Sequence, residues 1–128
     1  MNSDSPSGAQ QRRALVIDDD DLVRGTIAAM LEAAGYVVVQ AEDGQQGVQL
    51  FQQHPIDLVV TDILMPSKEG IETIVEIRQQ NRDVRIIAVS GGGAIGATPV
   101  LDAARQLGAD DVLSKPFSKA ELLVKING

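Results

Sequence analysis

The sequence has 128 residues, 44% of them hydrophobic, which is enough for one domain with a buried core. Eleven basic and 18 acidic residues give a net charge of −7, which disfavours nonspecific binding to nucleic acid or anionic membrane and fits a cation site or a basic partner. Cysteine is absent, so disulfides and thiolate metal sites are excluded. Since the sequence lacks both a membrane-length apolar run and an apolar signal core, we expect a soluble cytoplasmic protein.

The chain begins with a polar segment and a first strand–helix unit. Residues 1–13 are rich in Ser, Gly and Gln, and we expect them to form a flexible tail. The apolar run Ala14–Ile17 predicts a buried strand, and four aspartates, Asp18–Asp21, follow it directly. The last two of these aspartates suit the N-terminus of a helix, whose dipole favours negative charge. Apolar residues at helical spacing continue to Ala34, and Gly35 is typical of a helix C-terminus.

Four more strand–helix units follow in the same alternation. The predicted strands are Tyr36–Val39, Ile56–Thr61, Val84–Val89 and Asp111–Leu113. The predicted helices are Gly44–Gln53, Gly70–Gln80, Pro99–Leu107 and Lys119–Ile126, the last preceded by a capping box of Ser118 and Glu121. Such alternation predicts the α/β class, with a flavodoxin-like, doubly wound, five-stranded parallel sheet of order 2-1-3-4-5 in three α/β/α layers.

Polar residues follow several of these strands. In the predicted order strands 1 and 3 are neighbours, so Asp18 and Asp19 should meet Asp62 at the carboxyl edge of the sheet. Ser90 and Lys115 reach the same edge from strands 4 and 5. Ligands of open parallel sheets bind at this edge. The sequence therefore predicts one site that contains three carboxylates, a hydroxyl and an ammonium group.

That set of groups favours a metal ion and phosphoryl chemistry. Three adjacent carboxylates repel one another, and a divalent cation relieves the repulsion. Oxygen ligands suit Mg²⁺, with Mn²⁺ as an alternative, whereas one His and no Cys do not suit zinc. An Asp can act as a nucleophile and form an aspartyl-phosphate, while Lys115 and Ser90 suit the phosphoryl oxygens. Because no general base for water is evident, we expect a group that accepts phosphate and holds it.

Four segments carry a resemblance to a known family: LVIDD at 15–19, TDILMPSKEG at 61–70, VSG at 89–91 and GADDVLSKPF at 108–117. Through these segments, residues 14–128 resemble the receiver domain of two-component response regulators. The resemblance implies a phosphorelay receiver that takes a phosphoryl group from a histidine kinase or phosphotransfer protein and then switches binding to a downstream effector. It also implies that the protein promotes its own phosphorylation and dephosphorylation and is not a turnover enzyme.

The resemblance assigns a role to each site residue. The resemblance implies that Asp62 is the phosphoacceptor and also a metal ligand, and that Asp19 is a direct Mg²⁺ ligand. It also implies that Asp18 binds the metal mostly through water and that Leu64 binds it through the backbone carbonyl oxygen.

The phosphoryl-binding positions follow in the same way. Ser90 resembles the hydroxyl residue that reorients toward the phosphoryl group, and Lys115 the phosphate-binding lysine. The resemblance also implies a cis peptide bond between Lys115 and Pro116.

The sequence departs from the family pattern at three places. Val112 stands three residues before Lys115, where receivers usually carry a Tyr or Phe that rotates inward as a switch. The glycines Gly91–Gly93 lengthen the loop after strand 4, which makes that loop a candidate for the switching motion. No output domain follows before Gly128, so the sequence is compatible with a natural single-domain receiver and with a fragment of a larger regulator.

Other functions remain open at this point. One is a degenerate receiver that acts only as a binding or dimerisation module, and another is a Mg²⁺-dependent phosphatase, because Asp18-x-Asp20 resembles the start of the haloacid dehalogenase pattern. The glycines of Gly91–Gly96 match a dinucleotide fingerprint, but they belong to the fourth strand–helix unit. We expect a monomer or weak homodimer that contacts neither nucleic acid nor membrane.

Overall fold

The computed structural model describes residues 11–63, 70–91 and 102–127. Its five strands form one parallel sheet, and their spatial order is β2-β1-β3-β4-β5. The strands are β1 (Arg13–Ile17), β2 (Val37–Ala41), β3 (Leu58–Asp62), β4 (Arg85–Ser90) and β5 (Asp111–Ser114). The predicted fold class and strand order are confirmed.

Helices follow the strands in the predicted alternation. They are α1 (Asp21–Ala33), α2 (Gly44–Gln53), α3 (Gly70–Gln80), the described part of α4 (102–107) and α5 (Lys119–Asn127). None of the helices in the described ranges is long and apolar enough to cross a membrane.

Alternate residues of each strand divide the core into two halves. Leu15 and Ile17 of β1 belong to the cluster that includes Ile74 and Ile77 of α3. Ala14 and Val16 belong to the cluster on the opposite face, which includes residues of α1 and α5. Successive side chains of a strand point to opposite faces, so a sheet covered on both sides needs apolar residues at every position. This explains the continuous apolar runs in the sequence.

Helix ends are fixed by the polar residues that the sequence places there. The Asp20 carboxylate accepts the backbone N–H groups of Leu22 and Val23 and so caps α1. Gly35 follows α1 with a φ of 99°, a conformation that glycine adopts without steric cost. Before α5, the Glu121 backbone N–H donates to Ser118 Oγ, and Glu121 accepts the Ser118 N–H, which confirms the capping box.

Several boundaries differ from the predicted ones. β1 begins one residue early, at Arg13, because this residue pairs with Val37 of β2. β2 runs on to Ala41, and β5 runs on to Ser114, which pairs with Ser90. In both cases pairing with the neighbouring strand extends the ladder through a polar residue, Gln40 in β2 and Ser114 in β5, where a hydrophobic pattern gives no signal.

Some predictions fall outside the described ranges. They are the first ten residues of the predicted tail, the carbonyl of Leu64, most of the glycine-rich loop and the start of the predicted helix Pro99–Leu107.

Candidate active site

Three carboxylates converge at the carboxyl edge of the sheet. Asp18 and Asp19 follow β1, and Asp62 is the last residue of β3. The register pairs Ile17 with Thr61, so Asp18 and Asp62 come next on adjacent strands. One carboxylate oxygen from each of the three acids lies within 4.8 Å of the others. Asp18 and Asp62 are buried, whereas Asp19 is exposed, so the cluster opens to solvent on the side of Asp19.

Lys115 places a positive charge between the two buried acids. Its Nζ donates to Asp18 Oδ2 at 2.9 Å and to Asp62 Oδ2 at 3.2 Å. Burial alone would lower the pKa of Lys115, but the hydrogen bond to Asp18 and the charges of Asp18 and Asp62 outweigh it, so the pKa is raised. The ammonium group therefore stays protonated at neutral pH, and it lies where it could contact a group bound to Asp62. The predicted cis peptide bond between Lys115 and Pro116 is present.

Ser90 reaches the same edge from β4. It is the last residue of that strand and is fully buried. Its backbone oxygen accepts the Lys115 N–H at 2.8 Å, which ties the end of β4 to the loop that carries the lysine. The sheet therefore brings together five of the predicted site residues, contributed by four strands: Asp18, Asp19, Asp62, Ser90 and Lys115.

Comparison with known protein families identifies the family of this chain. Residues 14–127 match the family model described as the response regulator receiver domain. The chain belongs to the receiver family. Phosphoryl acceptance is general for receivers, the family typically binds Mg²⁺, and response regulators work in two-component systems with histidine kinases and downstream effectors.

Individual relatives support this membership. The chain is 41% identical to response regulator RR06 of Streptococcus pneumoniae over 112 residues, which cover 88% of this chain and 50% of that protein. It is 39% identical to the chemotaxis protein CheY of Bacillus subtilis over 116 residues, which cover 90% of this chain and 94% of that protein. The receiver spans about half the length of the other curated relatives that it matches.

A solved structure shows the same fold. It is a response regulator protein from Burkholderia pseudomallei that contains a phosphorylated aspartic acid, a calcium ion and citrate. The TM-score is 0.81 and the identity 28%, with 90% of this receiver and 66% of that chain covered.

The donor set of the receiver fits a hard divalent cation. Both carboxylate oxygens of Asp18 already accept hydrogen bonds within the protein. Oδ1 accepts the Asp20 N–H at 2.9 Å, and Oδ2 accepts from Lys115 Nζ. The carboxylate of Asp19 is exposed and accepts no hydrogen bond from the part of the chain that the structure describes. Oxygen donors of this kind, with one acid open to water, suit Mg²⁺, which keeps several waters. The direct role of Asp19 and the water-mediated role of Asp18 stay predictions.

Val112, which we predict to be the switch position, is half-buried. Val112 lies in β5, pairs with Ala88 of β4 and packs against the core cluster of α3. Its branched side chain is part of that packing and carries no ring that could rotate between an outward and an inward position. The glycine-rich loop that we regard as the alternative switch lies outside the described residues beyond Gly91.

Sequence reasoning missed Arg24. This residue lies in α1, and its guanidinium donates to the backbone oxygen of Asp18 at 2.9 Å. A usable signal was present, because long side chains on a helix point toward its N-terminus. An arginine three residues after Asp21 should therefore reach back over the acidic segment.

Replacing Asp19 with Asn is expected to raise the free energy of unfolding in EDTA. The substitution removes one of three neighbouring negative charges but leaves the ion pairs of Lys115 with Asp18 and Asp62 in place. It should also weaken the stabilisation by Mg²⁺, because an amide is a poorer ligand than a carboxylate. Thermal unfolding with and without Mg²⁺ measures both effects. A loss of stability in EDTA would rule out repulsion as the dominant effect of Asp19.

Proposed function

We propose that this receiver takes a phosphoryl group from a histidine kinase or phosphotransfer protein onto Asp62 and thereby switches partner binding. The observation that carries the proposal is the position of the Asp62 carboxylate, 3.2 Å from Lys115 Nζ and within 4.8 Å of the oxygens of Asp18 and Asp19. Phosphoryl transfer needs mainly positioning and compensation of the charge on the phosphoryl oxygens. Each neighbour of Asp62 supplies one of these requirements.

The transfer step balances with the groups present. The phosphorus–nitrogen bond of the donor phosphohistidine breaks, and a bond forms between phosphorus and a carboxylate oxygen of Asp62. The leaving imidazole nitrogen takes up a proton from water. Lys115 must give up its hydrogen bond to Asp62 and can then donate to a phosphoryl oxygen, while the Ser90 hydroxyl can donate to another.

We further propose that Asp18, Asp19 and Asp62 hold Mg²⁺, together with the backbone carbonyl of Leu64. The bound ion would supply positive charge to the phosphoryl oxygens. The Burkholderia pseudomallei regulator, which has a phosphorylated aspartic acid together with a calcium ion, supports a divalent cation as part of such a site. Mn²⁺ is the alternative ion, since it accepts the same oxygen ligands.

The site is suited to holding the phosphoryl group and not to rapid turnover. The sequence has one histidine, His54, and this residue caps the C-terminus of α2. Helices of this fold run back from the carboxyl edge of the sheet, so a helix C-terminus lies at the opposite edge. Water near the phosphoryl group therefore has no imidazole base from this chain. The match of residues 14–127 to the receiver family is what favours a switch over the Mg²⁺-dependent phosphatase.

The remaining assignments are also proposals. Residues 14–128 would act as the receiver unit and residues 1–13 as a flexible tail, in a monomer or weak homodimer. The partners are a phosphoryl donor and a downstream effector. A degenerate receiver that only binds or dimerises is the second candidate, because Val112 replaces the usual aromatic switch residue.

Intact-mass spectrometry after incubation with acetyl phosphate and Mg²⁺ tests the proposal. One phosphoryl adduct is expected on the wild type, none on Asp62→Ala and none in EDTA. Asp83→Asn is a matched control, because Asp83 is exposed in the turn before β4, and it should be labelled like the wild type. A folded wild type without an adduct would favour the binding module. An adduct on Asp62→Ala would place the acceptor elsewhere.

A further inference from the structure

Arg24 connects three parts of the chain around the acidic segment. Its side chain is 15% exposed and makes contacts through three nitrogens. Nη1 donates to the backbone oxygen of Asp18 at 2.9 Å, Nη2 to Asp21 Oδ1 at 2.6 Å and Nε to Gln40 Oε1 of β2 at 3.3 Å. A planar guanidinium can serve three acceptors in different directions at once, whereas an ammonium group is a single point of charge.

The bond to Asp18 acts on the orientation of Asp19. The carbonyl of Asp18 and the N–H of Asp19 belong to the same planar peptide unit. When Arg24 fixes the carbonyl, it also fixes the direction in which the chain leaves Asp18 and from which the Asp19 side chain projects. The Asp18 N–H donates to Ala41 at 3.1 Å, so both peptide units of Asp18 are held. In the described part of the chain, no side chain bonds the Asp19 carboxylate itself.

We propose that Arg24 is a positioning residue for metal binding, which orients Asp19 by holding the Asp18–Asp19 peptide unit. This inference rests on the proposed function, in which Asp19 is a direct metal ligand. Groups that do not touch the metal but orient its ligands through hydrogen bonds typically change metal affinity 10- to 100-fold when they are removed. Arg24 would then influence the metal without touching it.

The positioning role and the charge of Arg24 predict opposite changes in Mg²⁺ affinity when this residue is replaced. The direction of the measured change therefore tests the inference. A positive charge close to the carboxylates repels a cation, so its removal should tighten Mg²⁺ binding if charge alone matters. Loss of positioning should weaken binding instead. A purely structural role in the fold would leave the affinity of the folded protein unchanged.

Isothermal titration of Mg²⁺ into the metal-free protein provides the measurement. The first variant, Arg24→Met, removes both the charge and the planar guanidinium. The second, Arg24→Lys, keeps the charge but lacks the planar guanidinium. The matched control is Arg85→Met. Arg85 begins β4 and donates to the backbone oxygen of Lys125, so it makes a comparable guanidinium–carbonyl bond, but at the opposite end of the strand from Ser90.

We expect the Mg²⁺ dissociation constant to rise about tenfold in both Arg24 variants and to stay unchanged in Arg85→Met. Tighter binding in Arg24→Met, with Arg24→Lys like the wild type, would assign the effect to charge and overturn the proposal. Unchanged affinity in a folded Arg24→Lys would also overturn it, and this variant decides the matter if Arg24→Met does not fold. A wild type that binds no Mg²⁺ would instead refute the proposed function.

Discussion

Replacing Lys115 with Met is expected to cost about 3 kcal/mol of unfolding free energy in EDTA at neutral pH. Methionine keeps the length of the side chain but removes the ammonium group that lies 2.9 Å from Asp18 and 3.2 Å from Asp62. The side chains of these acids are only 1% and 8% exposed, so two neighbouring carboxylates would remain buried without that charge. Chemical denaturation in EDTA measures the loss.

Mg²⁺ and pH distinguish this electrostatic explanation from a packing effect. A cation among the same carboxylates should restore part of the loss, so Mg²⁺ should stabilise Lys115→Met more than the wild type. The pKa of Lys115 is raised above its usual 10.5 in the folded protein. Its contribution is therefore fully present below about pH 10.5 and is lost as pH rises through the higher folded value. The difference between wild type and variant should shrink as pH rises through that alkaline range.

Lys125→Met is the matched control for Lys115. Lys125 pairs with Asp111 at 3.3 Å, but its side chain is 34% exposed, and pairs of this kind contribute about 1 kcal/mol or less. The control should therefore stay close to the wild type. If Lys115→Met were as stable in EDTA as Lys125→Met, water would have to solvate Asp18 and Asp62 well enough to make the lysine dispensable.

The sequence predicted the fold and the edge at which the site residues meet. Continuous apolar runs such as Ala14–Ile17 indicate strands covered on both faces, and the βα alternation then requires a parallel sheet. Once strands 1 and 3 are neighbours, the positions of Asp18 and Asp62 follow from topology. No side-chain geometry is needed for that step.

The contacts between these residues could not be predicted in the same way. Lys115 and Asp18 are 97 positions apart, and no local pattern specifies that the lysine bridges Asp18 and Asp62. The role of Arg24 depends on which oxygen a long side chain reaches, and this is set by the packing of α1 against β2. Strand ends such as Ser114 depend on a partner strand and not on the hydrophobicity of the residue itself.

Replacing Gly70 with Ala is expected to cost about 2–3 kcal/mol of unfolding free energy. Gly70 is the buried first residue of α3, and a Cβ there would overlap the backbone of Ile63 and the carbonyl oxygen of Asp62. These are backbone atoms at the end of β3, so no side chain can turn aside to make room. The helix must instead move away from the strand, or the strand end must shift.

Gly25→Ala is a matched control that separates this clash from the general effect of replacing a helical glycine. Gly25 lies inside α1, and a Cβ at that position would have no neighbour within 4 Å. This variant should gain about 0.5–1 kcal/mol, because alanine loses less backbone freedom on folding. The two substitutions should therefore change stability in opposite directions, as measured by denaturation.

The position of Gly70 also links stability to function. Since the overlap involves the Asp62 carbonyl, any relaxation moves the residue that we propose as phosphoacceptor. Small displacements of reacting groups are costly for transfer reactions. We therefore expect labelling of Gly70→Ala by acetyl phosphate to be slower than that of Gly25→Ala under conditions in which both proteins are folded. Equal labelling rates would show that α3 moves away and leaves the end of β3 in place.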